Sequence, residues 1–207
     1  LVMGMDNTGL LTDVLMVVLF DTVNNKLNVL SIPRDTYSNV EPKVTYISGK
    51  RYELYNINLA YSYHGLDGIK TEIMNMIGYV PNYFIKVNLS GFEKIINKIG
   101  GVYFDVPQDM FWEDPTQDLL IDLKAGYQHL NGDQSLQLLR YRADYVLGDI
   151  KRIQVREEFM KALVSQMLST ANLDNAVELV GTLFDNVTTD LSYADLTWFA
   201  RQAVELT

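Results

Sequence analysis

Between Arg140 and Arg156 the chain gathers five cations, Arg140, Arg142, Lys151, Arg152 and Arg156, although its formal net charge is −9. An acidic protein that concentrates guanidinium groups in one stretch has an anion to hold there. Arginine suits phosphate because its planar fork donates two parallel charge-assisted hydrogen bonds. Upstream, Ser31-Ile32-Pro33-Arg34-Asp35-Thr36 sets another arginine beside a carboxylate where a strand pattern ends. These residues point to a phosphate or pyrophosphate site. A plainer alternative stays open. With 26 acidic residues against 17 basic ones, the arginines could pair on a solvated face, where each pair contributes about 0–1 kcal/mol.

Composition bounds the rest. A chain of 207 residues, 48% hydrophobic and 21% charged, can bury a core and is expected to form a single domain over 1–207. It has no cysteine, which excludes disulfides and thiol catalysis. Its acidity argues against nucleic acid as a partner. Two histidines, His64 and His129, are too few for a multi-histidine zinc centre. No run of 18 apolar residues is present. Because Leu1 is not an initiator methionine, the expectation is a piece whose N-terminal membrane anchor is missing.

The elements that must position these groups read as alternating strands and helices. Val14–Phe20 is a continuous apolar run of strand length, expected to be buried on both faces. A turn over 21–26 joins it to a strand ending at Ile32, which makes a hairpin. Asn58–Tyr63 and Leu66–Ile77 have helical spacing, and Gly78 fits a C-terminal cap. Tyr83–Val87 is strand-like. Ser90 with Glu93 reads as a capping box for a helix to Lys98, and Gly100-Gly101 stops it before a strand over Val102–Val106. Pro107–Gln117, with Phe111 and Trp112 inside it, reads as a loop able to cap a pocket. Leu119–Leu123 suggests a short strand, and Asn131 opens a helix through Leu139. Helices follow over Arg152–Leu168, Asn172–Phe184 and Tyr193–Val204. The alternation implies a layered α/β domain.

Three segments in this order carry a family resemblance: Ser31-Ile-Pro-Arg-Asp-Thr36, then Gly126-Tyr-Gln-His-Leu-Asn-Gly132 leading into Leu139-Arg-Tyr-Arg142, then Gly148-Asp149 followed by Arg152. Gly4-Met5-Asp6, Thr12-Asp13, Asn58-Leu-Ala-Tyr61 and Tyr83 to Phe92 support it, as do Gly100-Gly-Val102 and Asp105-Val-Pro107. The chain resembles the extracytoplasmic domain of LytR–CpsA–Psr proteins of Gram-positive bacteria, up to about Leu168.

The resemblance implies a three-layer α/β/α sandwich with a mixed central sheet and a hydrophobic lipid-binding pocket. It implies a single-pass anchored protein on the extracytoplasmic face of the membrane. The implied activity is a magnesium-assisted phosphotransferase, which moves a teichoic acid or capsule glycopolymer from a polyprenyl-pyrophosphate carrier to peptidoglycan. By resemblance, Asp6 and Asp13 fall on metal-binding carboxylates and Arg34, Arg140, Arg142 and Arg152 on pyrophosphate-binding arginines. Asp35 and Asp149 match acidic positions near the site. Asn58 and Arg156 are expected to touch substrate. Phe84, Phe92, Ile95, Leu138, Phe159 and Leu163 are candidates to line a prenyl tunnel, although such residues are more often ordinary core.

The chain also departs from the family pattern. Leu11 precedes Thr12-Asp13 where many members carry arginine, Asn56 replaces a lysine, and Val155-Arg156 replaces an arginine–glutamine pair. Three other readings therefore stand beside the transferase: a non-catalytic polyprenyl-phosphate binding protein, an envelope-related transcriptional attenuator, and a pyrophosphatase that uses water as acceptor.

Overall fold

The computed structural model describes residues 1–6, 8–24, 26–39, 43–48, 50–115, 119–141, 149–170 and 173–204. In chain order the elements are β1 (Val2–Met5), β2 (Thr12–Asp21), β3 (Lys26–Ser31), β4 (Lys43–Ile47), β5 (Lys50–Leu54) and, after a 3-10 turn at Ile57–Leu59, α1 (Ala60–Ile77). Next come β6 (Ile85–Val87), α2 (Leu89–Lys98), β7 (Val102–Val106), β8 (Met110–Asp114), β9 (Leu119–Leu123) and β10 (Gly126–Leu130). The chain ends with α3 (Gly132–Arg140), α4 (Asp149–Thr170), α5 (Leu173–Asn186), β11 (Val187–Thr189) and α6 (Tyr193–Val204). The class is mixed α/β, as the alternating pattern implies. The residues fall into two compact units, Leu1–Leu89 with Val187–Ser192, and Ser90–Asn186 with Tyr193–Thr207.

The first unit is built on a five-stranded sheet in the order β11-β6-β1-β2-β3. It is mixed, because β1 runs parallel to β6 but antiparallel to β2. Met3 and Leu15 pack with Ile57, Ile69 and Ile73 into one core, all essentially without solvent exposure. The expected hairpin is β2–β3. Its turn is closed by Asp21, whose Oδ1 accepts from the amides of Val23 and Asn24 at 3.0 Å each. Burial on both faces holds only for Leu15, Met16 and Val17; beyond them Val18 and Leu19 are exposed, since the far end of the hairpin has left the core. Helix α1 is interrupted at Gly65 (φ 61°) and closed by Gly78 (φ 71°), whose N–H reaches Met74 O.

The second unit pairs β7 with β10 and β8 with β9, both antiparallel. Its core joins Ile96, Val102, Phe104, Leu138, Tyr141, Val155, Phe159 and Leu163. Phe104 and Phe159 meet edge to face at 5.5 Å. Asn131 caps α3 in a reciprocal capping box with Gln134. Gly132 sits where a Cβ would lie 2.3 Å from Glu93 O, so α3 starts directly against the backbone of α2.

Several expectations are corrected. Pro107–Gln117 is not a loop throughout: Met110–Asp114 is strand β8, because Met110, Ile121 and Leu123 need the same core. Gly126–Leu130, given no element on the sequence reading, is strand β10 and carries His129. Ser90 lies inside the first turn of α2 rather than before it. Strands β1, β4, β5 and β11 went unforeseen. β4 and β5 are rich in charge, and β1 and β11 are short and defined by their partners.

Candidate functional site

The corner between β1 and β2 is where the chemistry of the first unit collects. Asp6 organises the connection: its Oδ1 accepts from Thr8 Oγ1 at 2.8 Å and from the amides of Leu10 and Leu11 at 3.2 Å. Across the same turn Asp6 N donates to Leu11 O at 3.0 Å. The register then slips. Gly4 pairs with Val14 but Met5 pairs with Thr12, leaving Asp13 as the extra residue of a bulge. Bulges re-aim a side chain at the cost of one ladder position, and here the re-aimed side chain is a carboxylate.

Arg34 meets that carboxylate. After β3 the chain is held to β2 by Ile32 N to Leu15 O (2.8 Å) and turns at Pro33, with Thr36 N donating to Pro33 O. This delivers Arg34 Nη1 to 2.5 Å from Asp13 Oδ1. Asp35 Oδ2 lies 3.6 Å from Arg34 Nε, an ion-pair distance too long for a hydrogen bond. The segment is pinned on its far side. Asn58 N donates to Arg34 O, Ile57 N to Thr36 O, and Asn39 N to the buried Glu72 Oε2. Burial pulls the Arg34 guanidinium down, but the hydrogen bond and charge of Asp13, helped by Asp35, leave it above its ordinary value. It is therefore a fixed cation.

Among the described residues of this unit, three buried polar atoms lack a hydrogen-bond partner: Thr12 Oγ1, Arg34 Nε and Asn58 Oδ1. Buried polar groups are nearly always satisfied, so such orphans call for an explanation. They flank the same pairing, since Thr12 precedes Asp13 and the Asn58 amide holds Arg34. Thr12 was not a candidate on the sequence reading; its signal was its place in the Thr12-Asp13 pair. Asn56, where the family pattern has lysine, donates Nδ2 to Asp35 Oδ1 at 3.0 Å. Leu11 packs against the first core.

The donor set also bears on magnesium. Among the described residues no group of three His, Cys, Asp or Glu side chains converges. Asp6, Asp13 and the Thr12 hydroxyl are hard oxygen donors. They suit an ion that keeps several waters and takes the rest of its shell from phosphate oxygens, and do not amount to an all-protein cage.

The second unit places its cations differently. Arg140 is the last residue of α3, and Tyr141 leaves the helix as a buried extended residue. Arg156 Nε and Nη2 donate to Leu139 O at 3.1 and 2.7 Å. This satisfies a carbonyl in the last turn of α3 and sets a cation at the negative end of its dipole. Arg152 lies one turn before Arg156 on α4 and is half-buried. Val155 belongs to the core. Arg142 lies outside the described residues. Asp149 opens α4, and its side chain is outside them too. Leu138, Phe159 and Leu163 are core residues and Phe92 packs against them, whereas Phe84 packs against the core of the first unit.

The model of the LytR_cpsA_psr family matches residues 1–206. The teichoic acid transferase TagU of Bacillus anthracis, a polyisoprenyl-teichoic acid–peptidoglycan transferase by name, is 33% identical over 181 residues, 87% of this chain and 55% of that protein. TagV of Bacillus subtilis, a transferase of the same description, is 31% identical over 87% of this chain and 45% of its own length. The chain thus spans about half the length of the curated relatives it matches. The crystal structure of Bacillus subtilis TagV superposes with a TM-score of 0.76 at 26% identity, covering 100% of this chain and 78% of the other. A structure of TagT bound to LI-WTA has the same fold, with a TM-score of 0.69 at 22% identity over 98% of this chain and 72% of the other.

Proposed function

The chain belongs to the LytR–CpsA–Psr family, and we propose that it is a glycopolymer phosphotransferase acting on a polyprenyl-pyrophosphate carrier, with peptidoglycan as acceptor. The observation that carries this reading is the Arg34–Asp13 pair, a half-buried guanidinium with one nitrogen on a carboxylate and a buried Nε without a hydrogen-bond acceptor. A phosphate oxygen supplies that acceptor.

The step is a substitution at phosphorus. The acceptor hydroxyl oxygen bonds to the phosphorus that carries the glycan, the phosphoanhydride bond breaks, polyprenyl phosphate departs, and the hydroxyl proton is released. Phosphoryl transfer is catalysed chiefly by positioning and by stabilising charge on the transferring and leaving oxygens. Arg34 does this in the first unit, held in orientation by Asp13 and flanked by Asp35. Asn58, whose Oδ1 is buried without a hydrogen-bond partner, is assigned to substrate contact. Arg140, Arg142 and Arg152 are assigned as pyrophosphate-binding cations of the second unit and Asp149 as an acidic position near them, with Arg156 fixing the end of α3 from which Arg140 projects. Phe84, Phe92, Leu138, Phe159 and Leu163 supply apolar surface for the prenyl chain. Asp6 and Asp13 would hold Mg²⁺, which when bound neutralises charge on the phosphate oxygens. The anchored, extracytoplasmic setting follows from the same reading, as does a capsule polymer as an alternative cargo.

The reading is tested by incubating the protein with a short-chain polyprenyl-pyrophosphoryl disaccharide, Mg²⁺ and a peptidoglycan oligomer, followed by mass spectrometry. A phosphodiester-linked conjugate together with prenyl phosphate is expected. Sugar phosphate without conjugate would make the protein a pyrophosphatase, and tight lipid binding with no product would make it a carrier-lipid binding protein.

A further inference from the structure

The two-stranded β7–β10 sheet has one face in the core and one in solvent. Val102, Phe104 and Val106 point inward with Leu130, while the alternating residues Tyr103, Asp105, Tyr127 and His129 point outward. In the antiparallel register Tyr103 lies opposite His129, and Tyr127 opposite Asp105. Their rings form a continuous strip. Tyr103 and His129 are 4.7 Å apart between centroids, and Tyr103 and Tyr127 are stacked at 6.0 Å with 17° between planes.

The strip is rigidly mounted. Gln166 of α4 clasps the Tyr103 peptide from outside, accepting from its N–H at 2.8 Å and donating to its carbonyl at 3.1 Å. His129 Nε2 is 2.5 Å from Gly100 O. A carbonyl only accepts, so Nε2 carries a proton in this contact, and in the neutral ring Nδ1 is then the acceptor. The ring lies over Gly101, where a Cβ would come within 2.4 Å of it, and Gly101 also has φ +88°. The glycine pair thus seats a histidine at the surface. Cross-strand aromatic pairs do steady a small sheet, yet Tyr127 remains 73% exposed and Tyr103 53% exposed. That is more ring surface left to solvent than sheet stability requires.

We propose that Tyr103, Tyr127 and His129, with Asp105, form a docking strip for a neutral sugar strand, the glycan of the acceptor. Aromatic rings offer apolar faces to the C–H faces of pyranose rings, while the phenol hydroxyls, Nδ1 and the carboxylate exchange hydrogen bonds with sugar hydroxyls. The strip carries no cation, and Asp105 repels phosphate, so a phosphate-linked polymer is the wrong partner for it. This identification of the occupant rests on the peptidoglycan acceptor of the proposed function. A rigid strand-borne strip restricts the strand's freedom before reaction, which is how remote contacts contribute to transfer.

The test is calorimetric titration with a soluble β-linked N-acetylglucosamine oligomer, a neutral stand-in for the peptidoglycan sugar strand. Wild type is expected to bind, and Tyr127→Ala to bind about tenfold more weakly. Tyr127→Phe should retain binding to within about threefold, because it keeps the ring face. Equal affinity in wild type and Tyr127→Ala, no binding by wild type, or equal competition by a polyglycerol phosphate would each overturn the strip. Should Tyr127→Ala fail to fold, shifts of the Tyr103, Tyr127 and His129 ring protons on titrating wild type decide the matter, and their absence counts against it. Prenyl phosphate release with a monosaccharide acceptor is followed in parallel. Release that survives Tyr127→Ala, together with lost oligomer binding, supports both readings. Oligomer binding without any release would leave the strip standing and remove the transferase.

Discussion

Arg34 and Arg156 are both half-buried arginines, and they are held in opposite ways. Arg156 places two donors on one backbone carbonyl, Leu139 O, at the end of a helix. Arg34 gives one nitrogen to a carboxylate re-aimed by a bulge and keeps Nε buried without an acceptor. A guanidinium anchored on backbone fastens two helices. One left part-satisfied carries an unmet donor whose burial costs about 1–3 kcal/mol, which, on the proposed function, an incoming phosphate oxygen recovers. The same side chain thus serves the fold in one unit and, on the proposed function, the chemistry in the other.

This contrast can be broken most sharply at Asp13. Asp13→Asn removes the charge that orients Arg34 and one of the two carboxylates proposed to hold Mg²⁺, and turnover should fall about 10²–10³-fold. Steady-state prenyl phosphate release measures it, and a rate within a few-fold of wild type would mean the bulge carboxylate is incidental. Arg156→Ala tests the other side. It strips both donors from Leu139 O and should lower stability to urea by about 1–3 kcal/mol, whereas Asp13→Asn should leave the urea midpoint nearly where it was. Asp35 sharpens the local picture. It is 55% exposed and 3.6 Å from Arg34 Nε, so Asp35→Ala should reduce turnover by no more than about fivefold, the worth of a surface ion pair.

The smallest effect belongs to Asp21. Hydrogen bonds from the Asn24 side chain, then from the Asn24 and Val23 amides, hold its carboxyl below the usual carboxylate value. A depressed carboxyl pKa contributes order above its unfolded value and loses it as pH falls through the folded one. Hydrogen exchange at the Val23 and Asn24 amides should therefore lose protection in acid below the ordinary carboxylate range, and Asp21→Asn should flatten that dependence. The global transition should not move.

How much of this was written in the chain differs by residue. Arg34, Asp13 and Asp6 were legible as candidates, because residue type and motif order name them without any coordinates. The bulge that presents Asp13 was not, since a register slip exists only once β1 and β2 have paired. Arg156 was legible as a cation and illegible as a helix fastener, because its partner is a backbone carbonyl and every residue has one. The β2–β3 hairpin and the start of α3 were readable from an apolar run, a polar turn and Asn131, whereas Gln134 as the reciprocal half of the cap was not foreseen. Strands such as Val187–Thr189 were not, because three residues take their identity from the neighbour they pair with.

The most direct measurement is Mg²⁺-dependent release of prenyl phosphate from a short-chain polyprenyl-pyrophosphoryl sugar by wild type and Arg34→Ala, with thermal unfolding recorded for both. Loss of release by about 10²–10³-fold at an unchanged melting temperature is the predicted result. Release at the wild-type rate by Arg34→Ala would contradict it and remove the Arg34–Asp13 corner as the phosphate centre.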